Sequence, residues 1–421
     1  MFTNTYAPHV GGVVRSILTL RDGLLQGGHS VMVVAPRFDG CEDDEADVLR
    51  LPSLRRFRGS TFSVPLPLGR RIGGAIDAFA PDIIHSHHPF LLGDTALRIA
   101  ASRNLPTVYT YHTRYERYGH YLGLGEELTR RLAQSLSVGY CNLCDAIIAP
   151  SQGIADELAR EGVARPVRAI PTGVAPDAFA RRDAQAARQR FGLPEGAVVV
   201  GHLGRLVVEK NLGFLAEAIS VYLARHESAW ALIAGPGPVQ ADMKACFAAL
   251  GVENRVIFAG SLSGEALADF YAAIDIFAFS STSETQGLVL VEAMAAGNPV
   301  VALDSVGVRD VVCDGENGRL LAADVTAETF AAAIGQIAAF TPSRRARMDK
   351  AARSTASGVT ADEMVRKTLM LYAEAVRVRK AENAKMFTLE YSGLRGMTQQ
   401  MRILGNLASA VGHAMVPTTG H

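Results

Sequence analysis

The segment 273–303 restricts the fold of this chain more than any other. An apolar run at 273–279 ends in small polar residues, the run at 288–296 is apolar at every position except Glu292, and a third apolar run follows Gly297. A helix that is apolar on all sides lies inside a core, and short apolar runs on both sides of it are typical of parallel strands. The segment therefore predicts a β-loop-α-β unit and an α/β fold.

Two carboxylates interrupt this segment, Glu284 in the loop and Glu292 in the helix. Burying a carboxylate without a partner costs on the order of several kcal/mol. Glu292 therefore needs either a basic side chain, as in a structural ion pair, or the hydroxyls of a ligand. In such units ligands lie at the carboxyl ends of the strands, and the N–H groups at the helix start attract phosphate. Gly287 would let the backbone approach such a ligand closely.

A pair of cations, Arg205 and Lys210, follows another apolar run at 198–203. The pattern places Arg205 at the end of a strand and Lys210 at the start of the next helix, so both cations can reach the crevice beside the carboxylates. Arg binds two oxygens at once and Lys adds a compact charge, which suits a diphosphate leaving group. The alternative is a solvated cation at a helix start, which the helix dipole disfavours.

Strand and helix patterns alternate along most of the chain, which favours parallel sheets. In the first half the predicted strands lie at 30–36, 81–87, 107–112, 146–151 and 167–173. A connector rich in Pro and Arg follows, and the strand pattern restarts at residue 198. The predicted boundary lies near residue 185. The expected divisions are an N-terminal domain, a second domain and C-terminal helices that cross back toward the first domain, at 1–180, 186–362 and 363–421.

Composition excludes several classes of protein. A chain of 421 residues with 48% hydrophobic residues has ample material for two α/β cores. The net charge of zero does not favour nucleic-acid binding. No apolar run is long enough to cross a bilayer and no signal peptide opens the sequence, so we expect a cytoplasmic protein that could also lie on the inner face of the membrane.

Cysteine and histidine patterns favour structural roles. Five cysteines, an odd number, indicate a reducing compartment rather than a disulfide framework. Cys141 and Cys144 form a CxxC without a second pair at zinc spacing, so we expect them to pack in the core. His85, His87 and His88 cluster without a carboxylate motif. Strand alternation would send the first two to one face and His88 away, and we expect no metal site.

Glycine-containing loops supply further candidate residues. Gly11 and Gly12 precede a helix, where they are either a plain tight turn or a place at which the backbone approaches a ligand. Two loops follow strand patterns in the second half, at 235–238 and 259–263, and they lie at the same predicted sheet edge.

The Glu284-to-Glu292 segment and the Arg205–Lys210 pair resemble the motifs of retaining glycosyltransferases of family 4. The resemblance implies a GT-B fold, in which two Rossmann-like domains face each other across a cleft. It also implies a retaining hexosyltransferase that uses a UDP- or GDP-hexose as donor, with no permanently bound cofactor and no metal. The expected reaction transfers the hexose to a hydroxyl acceptor.

The same resemblance implies roles for individual residues. Glu284 and His112 would orient the donor sugar, and Glu292 would hold the ribose hydroxyls. Arg205, Lys210 and the backbone near Gly11 and Gly12 would stabilise the leaving diphosphate. The remaining donor contacts are expected mainly from backbone groups, with Gly287 and Leu288 facing the diphosphate and the two loops facing the base through Gly235, Gly237, Ser261 and Leu262.

The acceptor motifs resemble those of glycosyltransferases that act on diacylglycerol, and those of related mannosyltransferases. They lie at 8–13, 85–93, 111–118 and 283–289. We therefore expect diacylglycerol or a related membrane lipid as acceptor, with His9, Tyr115 and Tyr118 as candidate acceptor contacts. The alternatives are a soluble or polysaccharide acceptor, or a non-catalytic binding subunit with the same fold.

Two further segments suggest membrane contact. The stretch 50–71 contains six Arg and no acid, interleaved with aromatic and aliphatic residues, which suits either an anionic lipid surface or a solvated basic loop. In the tail after residue 380, apolar residues recur at helical spacing. This tail could dock on the first domain, contact a membrane or pair with a second copy, and docking is the favoured interpretation. Its apolar positions are Met397, Met401, Leu404, Leu407, Val411 and Met415.

Overall fold

A computed structural model describes residues 1–9, 11–38, 41, 47–54, 64–65, 69–116, 126–179, 183–385 and 392–415. Contacts divide the chain into two compact units. The first unit consists of Met1–Pro171 and Ala361–His421, and the second consists of Thr172–Thr360. The C-terminal helices therefore belong to the first unit.

The second unit is a three-layer α/β structure with one parallel sheet. Its strands are β9 Val198–Leu203, β10 Ala229–Ala234, β11 Val256–Gly260, β12 Ile276–Phe279, β13 Val300–Leu303 and β14 Gly318–Leu321. Its helices are α6 Ala184–Arg190, α7 Leu212–Arg225, α8 Gln240–Ala249, α9 Gly264–Ala273, α10 Leu288–Ala296, α11 Ala327–Ala338 and α12 Pro342–Ser357. The strand order is β11-β10-β9-β12-β13-β14, the doubly wound order of dinucleotide-binding folds.

Both faces of this sheet are buried, and the side-chain alternation of the strands explains why. In β12, Phe277 and Phe279 pack into the core on one face, whereas Ile276 and Ala278 pack into the core on the other. Successive side chains of a strand point to opposite faces, so a strand covered by helices on both sides must be apolar throughout. The predicted β-loop-α-β unit at 273–303 is present as β12, α10 and β13.

The connector between the predicted domains is part of the second unit. Phe179, Ala187 and Leu193 are buried in its core together with residues of α9 and α10. These contacts explain why the structural division falls between Pro171 and Thr172, earlier than the sequence-based boundary near residue 185.

The first unit is also an α/β structure, with C-terminal helices added. Its strands are β1 Val33–Pro36, β2 Val48–Leu51, β3 Ser53–Leu54, β4 Val64–Pro65, β5 Ile84–Ser86, β6 Thr107–Thr110, β7 Ala146–Ala149 and β8 Val167–Ala169. Its helices are α1 Gly12–Gln26, α2 Gly69–Phe79, α3 Leu92–Arg103, α4 Glu126–Leu143, α5 Gln152–Arg160, α13 Ala361–Lys385 and α14 Ser392–Met415. The strands β3 and β4 form a short antiparallel pair.

Phe2 joins the two parallel parts of the first sheet. The ladders are β1-β2 and β5-β6-β7-β8, and Phe2 forms parallel bridges to both Val34 and Ser86. The backbone N–H of Phe2 donates to the His85 carbonyl at 2.8 Å, and that of Thr3 donates to the Val34 carbonyl at 3.0 Å. The strand order therefore reverses at Phe2, and the loops that follow Phe2 and β5 leave the same edge of the sheet.

The two C-terminal helices dock on the first unit at different places. In α13, Met364, Leu371 and Ala375 share a core with residues of α1. The helix continues to Lys385. The last helix, α14, packs on α3 and α4.

The docking face of α14 differs from the face that the spacing of its apolar residues suggested. Among the side chains of α14 that the structure describes, those at 395–414, the buried apolar ones are Ile403, Ala410 and Ala414. The large apolar side chains expected at a docking face are exposed instead, namely Met397, Met401, Leu404, Leu407 and Val411. Small residues permit this arrangement, because Gly139 of α4 leaves room for the side chain of Asn406, which donates to the Leu136 carbonyl.

None of the helices described is both long and apolar enough to span a membrane. All five cysteines are unpaired. Cys141 and Cys144 are buried near the end of α4, and burial raises the pKa of both thiols. A neutral, buried thiol is unreactive, which agrees with the expected packing role.

Candidate active site

An ion pair joins the two motifs of the second unit. The Lys210 ammonium donates to the Glu284 carboxylate, and both side chains are more than four-fifths buried. Lys210 follows β9 and Glu284 follows β12, the neighbouring strands at which the order of the sheet reverses. Ligands of doubly wound folds bind at this point. The structure therefore brings Lys210 and Glu284 together at the edge where the sequence predicted a site.

Electrostatics keep Glu284 ionised. Burial alone would raise its pKa, but the charges of Lys210 and Arg205, with hydrogen bonds from Lys210 and Ser281, together hold the pKa below its usual value. An ionised carboxylate accepts hydrogen bonds only. Glu284 can thus accept bonds from hydroxyl groups of a ligand while Lys210 compensates its charge.

Hydrogen bonds from the loop after β12 fix the segment that carries Lys210. The Ser280 hydroxyl donates to the Lys210 carbonyl at 2.9 Å and is 3.0 Å from the Asn211 carbonyl, and the Ser283 hydroxyl donates to the Glu209 carbonyl at 3.1 Å. Lys210 does not open the helix, contrary to the sequence-based expectation. It ends a 3-10 turn, and α7 begins at Leu212 after Asn211 adopts a left-handed conformation.

Arg205 lies just beyond β9 with an exposed side chain, and the backbone around it is held by the neighbouring loop. Gly204 N–H donates to the Ala234 carbonyl, and Leu206 N–H donates to the Pro236 carbonyl. A Cβ at Gly235, whose φ is 126°, would lie 1.8 Å from the Gly204 carbonyl oxygen. Only glycine fits at that position. Gly237 is equally crowded by the backbone of Leu206.

The start of α10, which follows the loop that carries Glu284, presents uncapped backbone amides. Gly287 is the N-cap residue with φ 73°, no side chain caps the helix, and Leu288 is its first residue. Uncapped N–H groups at a helix start form an anion-binding position. At the end of β11, Ser261 is exposed and Leu262 packs against the core of the second unit.

Glu292 is fully buried in α10, as its apolar neighbours predict. The Tyr271 hydroxyl, from α9, donates to its carboxylate at 2.8 Å. The buried carboxylate of Glu292 therefore accepts a hydrogen bond from a hydroxyl of the protein itself. The sequence predicted a basic side chain or a ligand hydroxyl instead. No sequence pattern identifies Tyr271, because its approach depends on how α9 packs beside α10.

His202 is a polar residue of this region that the sequence analysis missed. It is buried in β9, its Nδ1 lies 3.0 Å from the Ala278 carbonyl, and its Nε2 has no hydrogen-bond partner among the described residues. That nitrogen would lie 3.7 Å from a Cβ at Gly204. Burial lowers the pKa of His202 to about 4. The sequence offered one indication of this residue, namely a histidine inside an otherwise apolar strand.

Histidines form a cluster at the carboxyl ends of β5 and β6 in the first unit. His87 Nδ1 lies 3.0 Å from His112 Nε2, and the rings of His85 and His87 are 4.1 Å apart. His85 contacts the Thr110 hydroxyl at 2.7 Å and the Tyr372 hydroxyl of α13 at 2.5 Å. The side chains of His85 and His87 share one face of the strand, as alternation predicts.

Burial keeps these imidazoles neutral. It lowers the pKa of His112 to about 3, with a further contribution from His88, and lowers the pKa values of His85 and His87 well below the usual range. Burial likewise lowers the pKa of His88 to about 3. A neutral imidazole has one N–H donor and one acceptor nitrogen, so His112 can hydrogen-bond a ligand without carrying charge.

The two described candidate acceptor residues, His9 and Tyr115, contact different aromatic side chains of the first unit. His9 stacks on Phe38 at 6.4 Å, and its Nε2 would lie 3.8 Å from a Cβ at Gly11. Gly12 begins α1, and no side chain caps this helix. Tyr115 packs edge-on against Phe90 at 5.1 Å. Tyr118 lies outside the described residues.

The basic stretch 50–71 is described only in part, because 55–63 and 66–68 lie outside the described residues. Arg50 is buried, with its guanidinium 5.1 Å from the centre of the Tyr6 ring. It therefore belongs to the core and not to a basic surface. Within the described parts of the chain, no group of three His, Cys, Asp or Glu side chains could hold a metal ion.

Two family models cover most of the chain. The model for Glycosyltransferase Family 4 matches residues 10–178, and the model for Glycosyl transferases group 1 matches residues 183–355. Alpha-monoglucosyldiacylglycerol synthase of Streptococcus pneumoniae is 32% identical over 333 residues, which are 76% of this chain and 74% of that protein. This chain is a family 4 glycosyltransferase.

The glycosyltransferase is also similar to a GDP-mannose-dependent alpha-mannosyltransferase of Mycobacterium tuberculosis, with 30% identity over 90% of this chain and 97% of that protein. Among solved structures, sucrose-phosphate synthase from Thermosynechococcus elongatus matches with a TM-score of 0.72 and 22% identity, covering 88% of this chain and 94% of that chain. Anabaena HepE in complex with UDP matches with a TM-score of 0.68 and 22% identity over 88% and 98% of the two chains. These likenesses confirm the GT-B fold, built from two Rossmann-like domains.

The buried neutral histidines predict an acid-sensitive fold. The folded-state pKa of His88, about 3, lies below the unfolded value of about 6.5. Its contribution to stability is therefore complete above pH 6.5 and is lost as the pH falls toward the folded value, by up to about 1.4 kcal/mol per pH unit. We expect the apparent midpoint of thermal unfolding to fall between pH 7.5 and 5.5, and to fall less in His88→Asn.

Asn is chosen because its amide oxygen can replace His88 Nδ1, which accepts from the Asn4 N–H at 3.1 Å, without titrating. The matched control is His29→Asn, at an exposed histidine, which should retain the pH dependence of the unchanged protein. An identical pH dependence in His88→Asn would contradict the assignment.

Proposed function

We propose that this glycosyltransferase is a retaining enzyme that transfers a hexose from a nucleotide-diphosphate sugar to a lipid hydroxyl. The observation that carries the donor assignment is the Lys210–Glu284 ion pair beside Arg205. It combines a carboxylate suited to sugar hydroxyls with cations suited to a diphosphate. The pair lies at the strand-order reversal, where a doubly wound fold binds nucleotides.

Each donor group has a candidate partner in the second unit. The diphosphate would meet Arg205, Lys210 and the uncapped amides at Gly287 and Leu288. The ribose hydroxyls would meet Glu292, whose carboxylate Tyr271 holds in position. The base would lie against the backbone of the two loops that follow β10 and β11, which contain Gly235, Gly237, Ser261 and Leu262.

The first unit would supply the remaining polar contacts. The neutral imidazole of His112, oriented by His87, would hydrogen-bond the sugar near its reacting carbon. The backbone at Gly11 and Gly12 would approach the diphosphate. His9 and Tyr115 would contact the acceptor, and Tyr118 is proposed for the same role from the sequence alone.

The proposed reaction breaks the bond between the anomeric carbon and the diphosphate oxygen, and forms a bond from that carbon to the acceptor oxygen on the same face. The acceptor hydroxyl proton passes to an oxygen of the leaving diphosphate. Arg205 and Lys210 stabilise the negative charge that develops on the diphosphate. Because the donor itself takes up the proton, the reaction requires no protein nucleophile, metal or bound cofactor.

The lipid acceptor is supported by the names of two relatives, both alpha-monoglucosyldiacylglycerol synthases, which are 32% and 28% identical to this chain. The proposed donor is a UDP- or GDP-hexose, and UDP-hexose is one candidate because HepE, which shares the fold, has been crystallised with UDP-glucose. GDP-hexose is the other candidate, because two relatives are named as GDP-mannose-dependent mannosyltransferases. We place the enzyme in the cytoplasm, at the inner face of the membrane. A soluble or polysaccharide acceptor is the second candidate function, supported by the similarity to sucrose-phosphate synthase.

A transfer assay tests donor and acceptor together. The enzyme is incubated with labelled UDP- and GDP-hexoses and with vesicles that contain diacylglycerol, and the lipids are extracted into organic solvent. We expect label in the lipid phase from one donor, with an α linkage if the reaction is retaining. If the enzyme hydrolyses a donor but labels no lipid, the proposed acceptor changes from a lipid to a soluble or polymeric molecule. If it is inactive toward every donor, a non-catalytic binding subunit is favoured.

The donor site predicts a large effect of Glu284→Gln. This change keeps the shape of the side chain but removes the charge that pairs with Lys210. We expect kcat/KM for the donor to fall by about 100-fold or more, the usual loss when one group that stabilises a transition state is removed. The measurement is initial rate against donor concentration.

Glu217→Gln provides the matched control, because Glu217 is exposed on α7 of the same unit and should give unchanged kinetics. Circular dichroism and thermal unfolding establish that both variants are folded. Full activity of a folded Glu284→Gln variant would disprove the site assignment.

A further inference from the structure

The last helix, α14, covers α3 and α4 with only one of its faces. Its contacts to α3 include the Arg98 guanidinium, which donates to the Gln400 side chain at 3.0 Å. Its contacts to α4 include the Arg131 guanidinium, which donates to the His413 carbonyl at 2.6 Å. Ile403, Ala410 and Ala414 provide the apolar part of this contact.

A row of large apolar side chains lies beside this docking face, roughly a third of a turn around the helix, and we name it the outer stripe. Met397 and Met401 are each 68% exposed, and Leu404 is 47% exposed. Leu407 and Val411 complete the outer stripe with similar exposure. Spacings of three, four and seven residues place these side chains on adjacent turns of a helix. No contact of α14 with the described part of the first unit explains this concentration of exposed apolar side chains.

The charge of α14 indicates what could cover the outer stripe. The helix sequence contains Arg395 and Arg402 and no Asp or Glu. Arg98 of α3 and Arg131 of α4 lie along the two sides of the helix, and the charge of Arg98 is opposed by that of Asp94, which interacts with it from the preceding turn of α3. Glu127, at the start of α4, is neutralised by Arg130. An apolar face with positive charge and no acid on the helix matches the surface of an anionic bilayer.

We propose that α14 binds an anionic lipid surface, with the outer stripe among the acyl chains and Arg402 near the head groups. The other possible occupant is a second copy of this chain. A stable protein interface buries about 800 Å² on each partner, more area than five side chains on one helix supply. A bilayer has no such minimum, because an interfacial helix binds in proportion to its buried apolar area and its charge.

This inference deepens the proposed lipid function by naming the surface that holds the enzyme at its acceptor. The test measures sedimentation of the full chain with vesicles in the absence of donor. We expect binding to vesicles of equal phosphatidylcholine and phosphatidylglycerol. Met401→Gln combined with Leu404→Gln should weaken that binding by at least about tenfold, because two apolar side chains lose their transfer into lipid.

The matched control is Met370→Gln combined with Val378→Gln in α13, since these side chains are 62% and 47% exposed. That helix also carries acidic residues, so the control variant should bind vesicles as the unchanged protein does. Arg402→Ser should lower binding to the anionic vesicles by about fivefold while leaving binding to pure phosphatidylcholine unchanged.

Two results would overturn the proposal. One is vesicle binding that does not change in the Met401→Gln, Leu404→Gln variant, or that is absent in the unchanged protein. The other is a dimer, detected by sedimentation velocity without lipid, that this variant converts to monomers.

Transfer to diacylglycerol dispersed in detergent separates this proposal from the proposed function. If α14 serves only membrane binding, the double variant should retain the activity of the unchanged protein in detergent and lose activity with vesicles. Vesicle binding without any lipid glycosylation would support the surface and disprove the acceptor. Loss of activity in detergent as well as with vesicles would show that the outer stripe is not specific to membrane binding, and would overturn the proposal.

Discussion

The parallel pairing of β9 with β12 is the constraint on which the donor site depends. At this pair the strand order of the second unit reverses, so the connections that follow the two strands turn to opposite faces of the sheet. Lys210 and Glu284, 74 positions apart in the chain, meet there. Their ion pair and the serine hydrogen bonds beside it hold both segments in one arrangement. A change that weakened this pairing would separate the two halves of the site.

Burial of polar groups follows one physical rule in both units. Lys210 and Glu284 are buried as an ion pair, which removes the cost of an isolated charge. The histidines at the ends of β5 and β6 respond to burial differently, because their pKa values fall and they lose their charge. Glu292 receives the Tyr271 hydroxyl. At the Lys210–Glu284 pair, burial is compatible with charge because a cation and an anion lie together.

Periodic patterns allowed much of the fold to be predicted. The apolar run at 288–296 was interpreted as a buried helix, which the structure confirms as α10, and the strands around it followed from their length and composition. The connector and the tail were harder to predict. Phe179 and Leu193 look like linker residues until their burial in the second unit is seen. The apolar series of α14 suggests a docking face, but small residues and Asn406 make the contact.

The sequence by itself determined the fold class, the family and the identity of the charged residues, because these depend on local periodicity and on motifs with fixed spacing. Only the tertiary structure decided which groups meet. The contact of Tyr271 with Glu292, the stacking of His87 on His112, the open nitrogen of His202 and the outward face of α14 all depend on packing between elements distant in the chain. Such packing is set by the sum of many side-chain volumes, which no local pattern records.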